Sequence, residues 1–214
     1  MTNLHCFTVN FIEENCYVLS DDTREAVIVD CGALLPGERE NIAKYVRQEG
    51  LTLRHHLLTH GHFDHIFGAQ YVADTFGLHP EMCREELPCY EQAAWQMRAL
   101  LHRDLPLELP PAGRLLNDGD EVDFGTHTLR IIATPGHTAG GVCYYCEAER
   151  LLLSGDSLFR REIGRCDLAG GNEPQLISAL KNRILTLPDD TTVWPGHGPA
   201  TTVGEERRSN PYLY

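Results

Sequence analysis

Thr59-His60-Gly61-His62-Phe63-Asp64-His65 places three imidazoles and one carboxylate within six consecutive positions, directly after the short run His55-His56-Leu57-Leu58-Thr59. That run reads as a buried strand, so the polar cluster sits where a strand hands over to the next element. Two residues apart on extended backbone, His60 and His62 face the same way, and both reach one ion at the roughly 2.0–2.1 Å that zinc prefers. Asp64 and His65 follow where the chain turns into a helix, which redirects them toward a second, neighbouring ion. Gly61 lets the backbone crowd in without a Cβ clash. The bland alternative is a polar loop with coincidental histidines. Against it, imidazoles and carboxylates massed beside a buried strand are costly unless paired or metal-bound.

Three more segments share this grammar of a strand ending in a turn that carries a ligand-type residue: Thr134-Pro135-Gly136-His137, Leu153-Ser154-Gly155-Asp156 and Trp194-Pro195-Gly196-His197. A lone Pro-Gly-His would be an ordinary turn. Together with the first cluster, the four strand ends supply seven N and O donors. Two closely spaced catalytic metals need about that many.

Cys16 to Leu19 and Ala26 to Val29 are apolar runs joined by Ser20-Asp21-Asp22, an antiparallel hairpin. A helix is expected from Pro36-Gly37 to Gly50, with Glu38 and Glu40 at its positive end, and another from Asp64 to Phe76, closed by Gly77. Pro88 to Arg103 is a helical stretch, and the proline-rich segment Asp104 to Pro111 cannot continue it. Strands resume at Glu121–Phe124, Thr128–Ala133, Val142–Cys146 and Leu151–Ser154. Asn172 caps a helix running to about Leu185, and a last strand covers Thr191–Trp194. Blocks of strands alternating with helices in both halves predict two sheets packed face to face with helices outside.

With 214 residues, 42% hydrophobic, the chain can bury the core of one unit spanning residues 1–214. Its formal net charge of −13 disfavours nucleic-acid binding. The acidic surplus reads as a solvated surface. No apolar run approaches the roughly 20 residues of a membrane span, and Met1 to Val9 lacks a signal pattern, so a cytoplasmic location and no membrane partner are expected. The eight cysteines form no disulfide framework. Cys143 and Cys146 have metal-site spacing, but three residues apart on a strand they point to opposite faces.

The ordered set His60-x-His62-x-Asp64-His65, His137, Asp156 and His197 resembles the metal-ligand pattern of the metallo-β-lactamase superfamily across nearly the whole chain. The resemblance implies an α+β, four-layer αββα sandwich of two mixed β-sheets. It also implies two divalent ions, zinc by expectation with iron or manganese as alternatives. One ion would be held by His60, His62 and His137, the other by Asp64, His65 and His197, with Asp156 between them. Asn15-Cys16-Tyr17, Gly155 to Phe159, Gly164-Arg165-Cys166-Asp167 and Asn210-Pro211-Tyr212-Leu213 are similar to the glyoxalase II branch, the hydroxyacylglutathione hydrolases. Full-length members continue into a helical domain that grips glutathione, which a chain ending at Tyr214 is expected to lack.

That resemblance implies hydrolysis of a small-molecule thioester such as S-lactoylglutathione by a metal-bridged hydroxide. Asp64 and Asp156 would be the catalytic carboxylates, and Arg165 the cation that meets an anionic substrate. A leaving thiol of pKa about 8.5 needs no strong acid. Two alternatives stand. Persulfide dioxygenases share the first histidine motif and a Gly-Arg-x-Asp segment but use one ferrous ion. The second is a non-catalytic metal or redox module. Elsewhere, one of His55 and His56 is expected to be buried and the other exposed. Trp95, Met97 and Tyr90 are expected to pack their helix onto the body, with the possibility that this stretch walls the substrate cleft.

Overall fold

Ahead of the hairpin expected from Cys16, Thr2–Val9 forms a strand, β1, paired along its length with β2 (Glu14–Asp21). The computed structural model describes residues 1–102, 105 and 107–214. After β2 come β3 (Glu25–Val29), α1 (Pro36–Gln48), β4 (Thr52–Leu57), α2 (Phe63–Ile66), α3 (Ala69–Phe76) and β5 (Pro80–Cys83). Next are α4 (Leu87–Glu91), α5 (Ala93–Leu101), β6 (Leu115–Leu116), β7 (Glu121–Phe124), β8 (His127–Ala133), β9 (Val142–Cys146) and β10 (Leu151–Gly155). A small hairpin, β11 (Leu158–Phe159) and β12 (Glu162–Ile163), precedes α6 (Glu173–Ala179), β13 (Thr192–Pro195), β14 (Thr201–Thr202) and α7 (Val203–Ser209).

The first sheet runs in sequential order from β1 to β6, antiparallel across β1, β2 and β3 and parallel from there on. The second has the order β14-β13-β10-β9-β8-β7, parallel only between β10 and β13. Side-chain alternation builds the layers. Tyr17 and Leu19 enter the core between the sheets with Val142 and Tyr144, while Val18 and Ile28 face outward against Ile42 of α1 and Val72 of α3. Cys143 and Tyr145 face the outer core with Leu176 of α6 and Val203 of α7. Each fully buried aliphatic side chain contributes about 1.5–3 kcal/mol, and only the four-layer arrangement buries both faces of both sheets. The expected αββα sandwich is the observed fold. Cys146 lies in the inter-sheet core and Cys143 in the outer one, so the two thiols do not converge.

Several boundaries differ. The strand read as His55–Thr59 is β4, two or three residues earlier, and the short strands β5 and β6 went unread. The single helix expected over Asp64–Phe76 is broken between α2 and α3, where the Gly68 N–H donates to the Cys31 carbonyl at 2.8 Å and a Cβ would strike the Cys31 sulfur. The expected helix from Pro88 is α4 and α5, separated at Gln92. Its predicted end at Arg103, with Asp104 and Pro106 of the proline-rich segment, lies outside the described residues. Asn172 does cap α6, accepting from the Gln175 N–H at 3.1 Å, but the α-helix ends at Ala179 and gives way to a π-helical turn over Leu180–Ile184. Among the described residues no helix is long and apolar enough to cross a membrane.

Candidate metal centre

Sheet directions bring the four donor segments together. β8 and β10 are each antiparallel to β9, and β13 is parallel to β10, so all three strands run the same way and end on one side. His137, Asp156 and His197 follow those three ends. The remaining donors follow β4, and the end of β4 is tied to the start of β9 by a Val142 N–H to Thr59 carbonyl bond of 2.9 Å. His62 keeps extended backbone as the residue before α2, so Asp64 and His65 rise on a helical turn away from His60 and His62.

Two sets of donor atoms result. His137 Nε2 lies 3.3 Å from His60 Nε2 and 2.9 Å from His62 Nδ1. Asp64 Oδ2 lies 3.3 Å from His197 Nε2 and 3.8 Å from His65 Nε2. Asp156 stands between them, 3.4 Å from His65, 3.7 Å from His137 and 3.7 Å from His197. Ligands about 2.0–2.1 Å from a tetrahedral zinc are separated by about 3.3 Å, the spacing seen here. His65 Nε2 and Asp156 Oδ1 are buried, within ion-pair distance, and yet form no hydrogen bond, because both are aimed into shared space. Gly196 borders that space, and a Cβ there would collide with Asp156 Oδ1 and His65. The donor types, spacing and orphaned atoms fit a pair of divalent cations.

The far ring nitrogens are anchored. His137 Nδ1 is 2.7 Å from the Arg165 carbonyl and His197 Nδ1 3.1 Å from the Ile12 carbonyl, so these nitrogens carry the protons and turn Nε2 toward the site. His65 Nδ1 lies 3.1 Å from Asp30 Oδ2, and Thr59 donates its hydroxyl to the same carboxylate at 2.6 Å while lying 3.1 Å from His60 Nδ1. Buried Glu86 accepts from Gly61 N–H at 2.8 Å, Thr138 hydroxyl at 2.7 Å and Gly140 N–H at 2.9 Å. It thus pins the loops of His60, His62 and His137 to one another.

Electrostatics divide the site. Burial, then the neighbouring imidazoles, push His60 well below the usual histidine range and His62 down to about 4. Burial acts on His65 in the same direction, but the carboxylates of Asp156 and Asp64 overcome it and hold His65 well above that range. Asp156 and Asp64 are lowered despite burial, with His65 the main opposing charge. His65 and the carboxylates of Asp156 and Asp64 thus favour one another's charged forms.

The model of the metallo-beta-lactamase superfamily matches residues 9–197. The chain belongs to that superfamily. Hydroxyacylglutathione hydrolase GloC of Haemophilus influenzae is 31% identical over 217 residues, covering 99% of this chain and 98% of that one. Among solved structures, the BLEG-1 B3 metallo-beta-lactamase matches with a TM-score of 0.87 at 37% identity, over 99% of both chains. TTHA1623 in a di-iron-bound form matches with a TM-score of 0.86 at 35% identity, over 98% of this chain and 100% of that one. Superfamily members are mostly metal-dependent hydrolytic enzymes.

Other residues fall differently from expectation. Arg165 contributes its carbonyl to His137, while its guanidinium makes a two-bond ion pair with Asp167 at 2.7 and 2.8 Å, at the rim of the site. Met97 and Tyr90 are buried, the Tyr90 hydroxyl donating to the Pro110 carbonyl at 2.7 Å, but Trp95 is 60% exposed and does not pack its helix onto the body. Trp95 and His62 line the same pocket. His56 is buried; His55 is not exposed but half-buried, 2.6 Å from Glu81. Sequence reasoning missed Asp30, Glu14 and Glu86. Val29-Asp30-Cys31-Gly32 has the same strand-then-turn grammar as the donor segments and could have revealed Asp30; Glu14 and Glu86 have no such local signal.

Proposed function

We propose that this chain is a dinuclear metal-dependent hydrolase that adds water across the C–S bond of a small thioester, releasing a carboxylic acid and a thiol. The observation that carries this reading is the complete double donor set with Asp156 within 3.7 Å of both halves. His60, His62 and His137 would hold one ion, Asp64, His65 and His197 the other, and Asp156 both. When bound, such ions polarise a carbonyl and lower the pKa of water to about 7 in the zinc case. Zinc is the proposed metal, with iron or manganese as alternatives, and the di-iron form of TTHA1623 supports iron as a competitor.

The chain's own residues orient and shield. Asp30, Thr59 and the Arg165 and Ile12 carbonyls fix the imidazole rings, and Asp64 and Asp156 hold negative charge where the reacting carbonyl must be approached. The departing thiolate, with a pKa of about 8.5, requires no strong acid. Asp64, 3.3 Å from His197 and lowered by the charge of His65, would stay ionised as a donor to the second ion. Arg165 would meet an anionic substrate only in competition with Asp167, and exposed ion pairs of this kind are weak enough to exchange. The 31% identity to a hydroxyacylglutathione hydrolase supports the thioester class. The net charge of −13 supports a small molecule over nucleic acid as partner.

The test is metal analysis with parallel assays. Zinc-loaded protein is expected to hold about two ions per chain and to hydrolyse S-lactoylglutathione or thioesters of smaller thiols. His197→Ala is expected to abolish that turnover. A stoichiometry below one after metal loading, or oxygen uptake with glutathione persulfide by the ferrous form with no thioester turnover by any form, would overturn the proposal.

A further inference from the structure

A pocket of about 200 Å³ opens directly beside the metal centre, with the candidate ligand His62 in its wall. The rest of its lining includes Trp95, Ala99 and Leu100 of α5 on one side and Asp167 and Leu168 on the other. Trp95 is 60% exposed and Leu100 38%, two large apolar side chains left facing the same opening. Exposed apolar groups gathered at a concave site mark a place where something apolar binds. Among the described residues the only formal charge in the lining is Asp167, and that carboxylate is already paired with the Arg165 guanidinium at the rim.

We infer that this pocket is a specificity site for an uncharged, apolar group of about benzene size carried by the substrate beside its scissile carbonyl. The inference rests on the hydrolase reading above and narrows it. Size is consistent, since an apolar cavity of about 150 Å³ holds benzene. Chemistry is consistent as well. A tripeptide thiol with two carboxylates would bring anions to a wall of tryptophan, leucine and an aspartate, whereas an aryl or medium-chain group removes Trp95, Leu100 and Leu168 from water. The group could belong to the acyl part or to the thiol, because both flank the carbonyl.

The experiment measures kcat/KM of the zinc-loaded protein along two series. In one, acetyl, butyryl, hexanoyl and phenylacetyl groups are attached to N-acetylcysteamine. In the other, acetyl is attached to N-acetylcysteamine, benzyl mercaptan and glutathione. A rise of about tenfold or more along the first series assigns the pocket to the acyl group, and the same rise toward benzyl mercaptan assigns it to the thiol. Trp95→Ala and Ala99→Asp are expected to collapse that preference to within about twofold, and Trp95→Phe, which keeps an apolar ring, to retain most of it. A flat profile in both series, or a preference unchanged in Trp95→Ala and Ala99→Asp, overturns the inference while leaving the hydrolase in place. If no thioester is turned over, calorimetry with the non-hydrolysable thioether S-benzyl-N-acetylcysteamine decides separately. Binding that weakens about tenfold in Ala99→Asp supports the pocket, and no binding to the wild type overturns it.

Discussion

The trio His60, His62 and His137 and the trio Asp64, His65 and His197 share one site, but the groups behind them differ in kind. Behind the first stand neutral acceptors, the Thr59 hydroxyl and the Arg165 carbonyl, and the Glu86 clamp on Gly61, Thr138 and Gly140. Behind the second stand buried carboxylates, with Asp30 at 3.1 Å and Glu14 at 3.8 Å from His65 Nδ1. Glu14 is fully buried with one oxygen unpartnered, and burial raises its pKa well above the usual carboxylate range. In the first half the buried carboxylate of Glu86 grips loop N–H and hydroxyl groups instead of an imidazole. The other sets two buried carboxyl groups against one imidazole, and burial favours the neutral form of Glu14 there.

The strongest way to break this contrast is Asp156→Ala, because Asp156 faces both halves. Metal content is expected to fall from about two to below one ion per chain by elemental analysis, with loss of hydrolysis beyond about 100-fold, more than an outer-shell change produces. Retention of both ions would show that Asp156 is not shared. Asp30→Asn discriminates between the halves. Asparagine tolerates the positive φ of 50° at this position but removes the charge behind His65. A loss of about 10–100-fold in affinity for the metal of the His65 half is expected by competitive chelator titration, with a smaller loss in the other half, because Asp30 reaches His60 only through the Thr59 hydroxyl. Equal weakening of both would erase the distinction.

Glu86→Gln tests the neutral half. The amide leaves one of three donors without an acceptor in a fully buried place, so denaturant unfolding of the metal-free protein should show a loss of about 1–3 kcal/mol. An unchanged midpoint would mean that the clamp is dispensable. The subtlest expected difference is in protons. Burial and neighbouring imidazoles favour neutral His60 and His62, the latter down to about 4, whereas Asp156 and Asp64 favour the protonated form of His65. Loading the His65 half should therefore release more protons than loading the other half and should weaken as pH falls. Calorimetry in buffers of different ionisation enthalpy reads this directly, and identical proton release in both steps would contradict it.

Much of the site's chemistry was visible in the chain because it is local. Four strand ends each followed by a donor, the alternation that separates Cys143 from Cys146, and the cap at Asn172 all lie within a few residues, where a period of two or a turn leaves its mark. Pairing is not local. β5 and β6, four and two residues long, exist because neighbouring strands complete their hydrogen bonds, and no periodicity can show in so few positions. For the same reason the sequence marked His65 as a donor but not the carboxylates behind it. Asp30, 35 positions away, and Glu14 reach His65 only when β2, β3 and α2 are packed, and Trp95 is left exposed only because no layer covers that face of α5. Residue type and spacing determined which atoms could bind a metal; the directions of β8, β10 and β13 decided which of them meet.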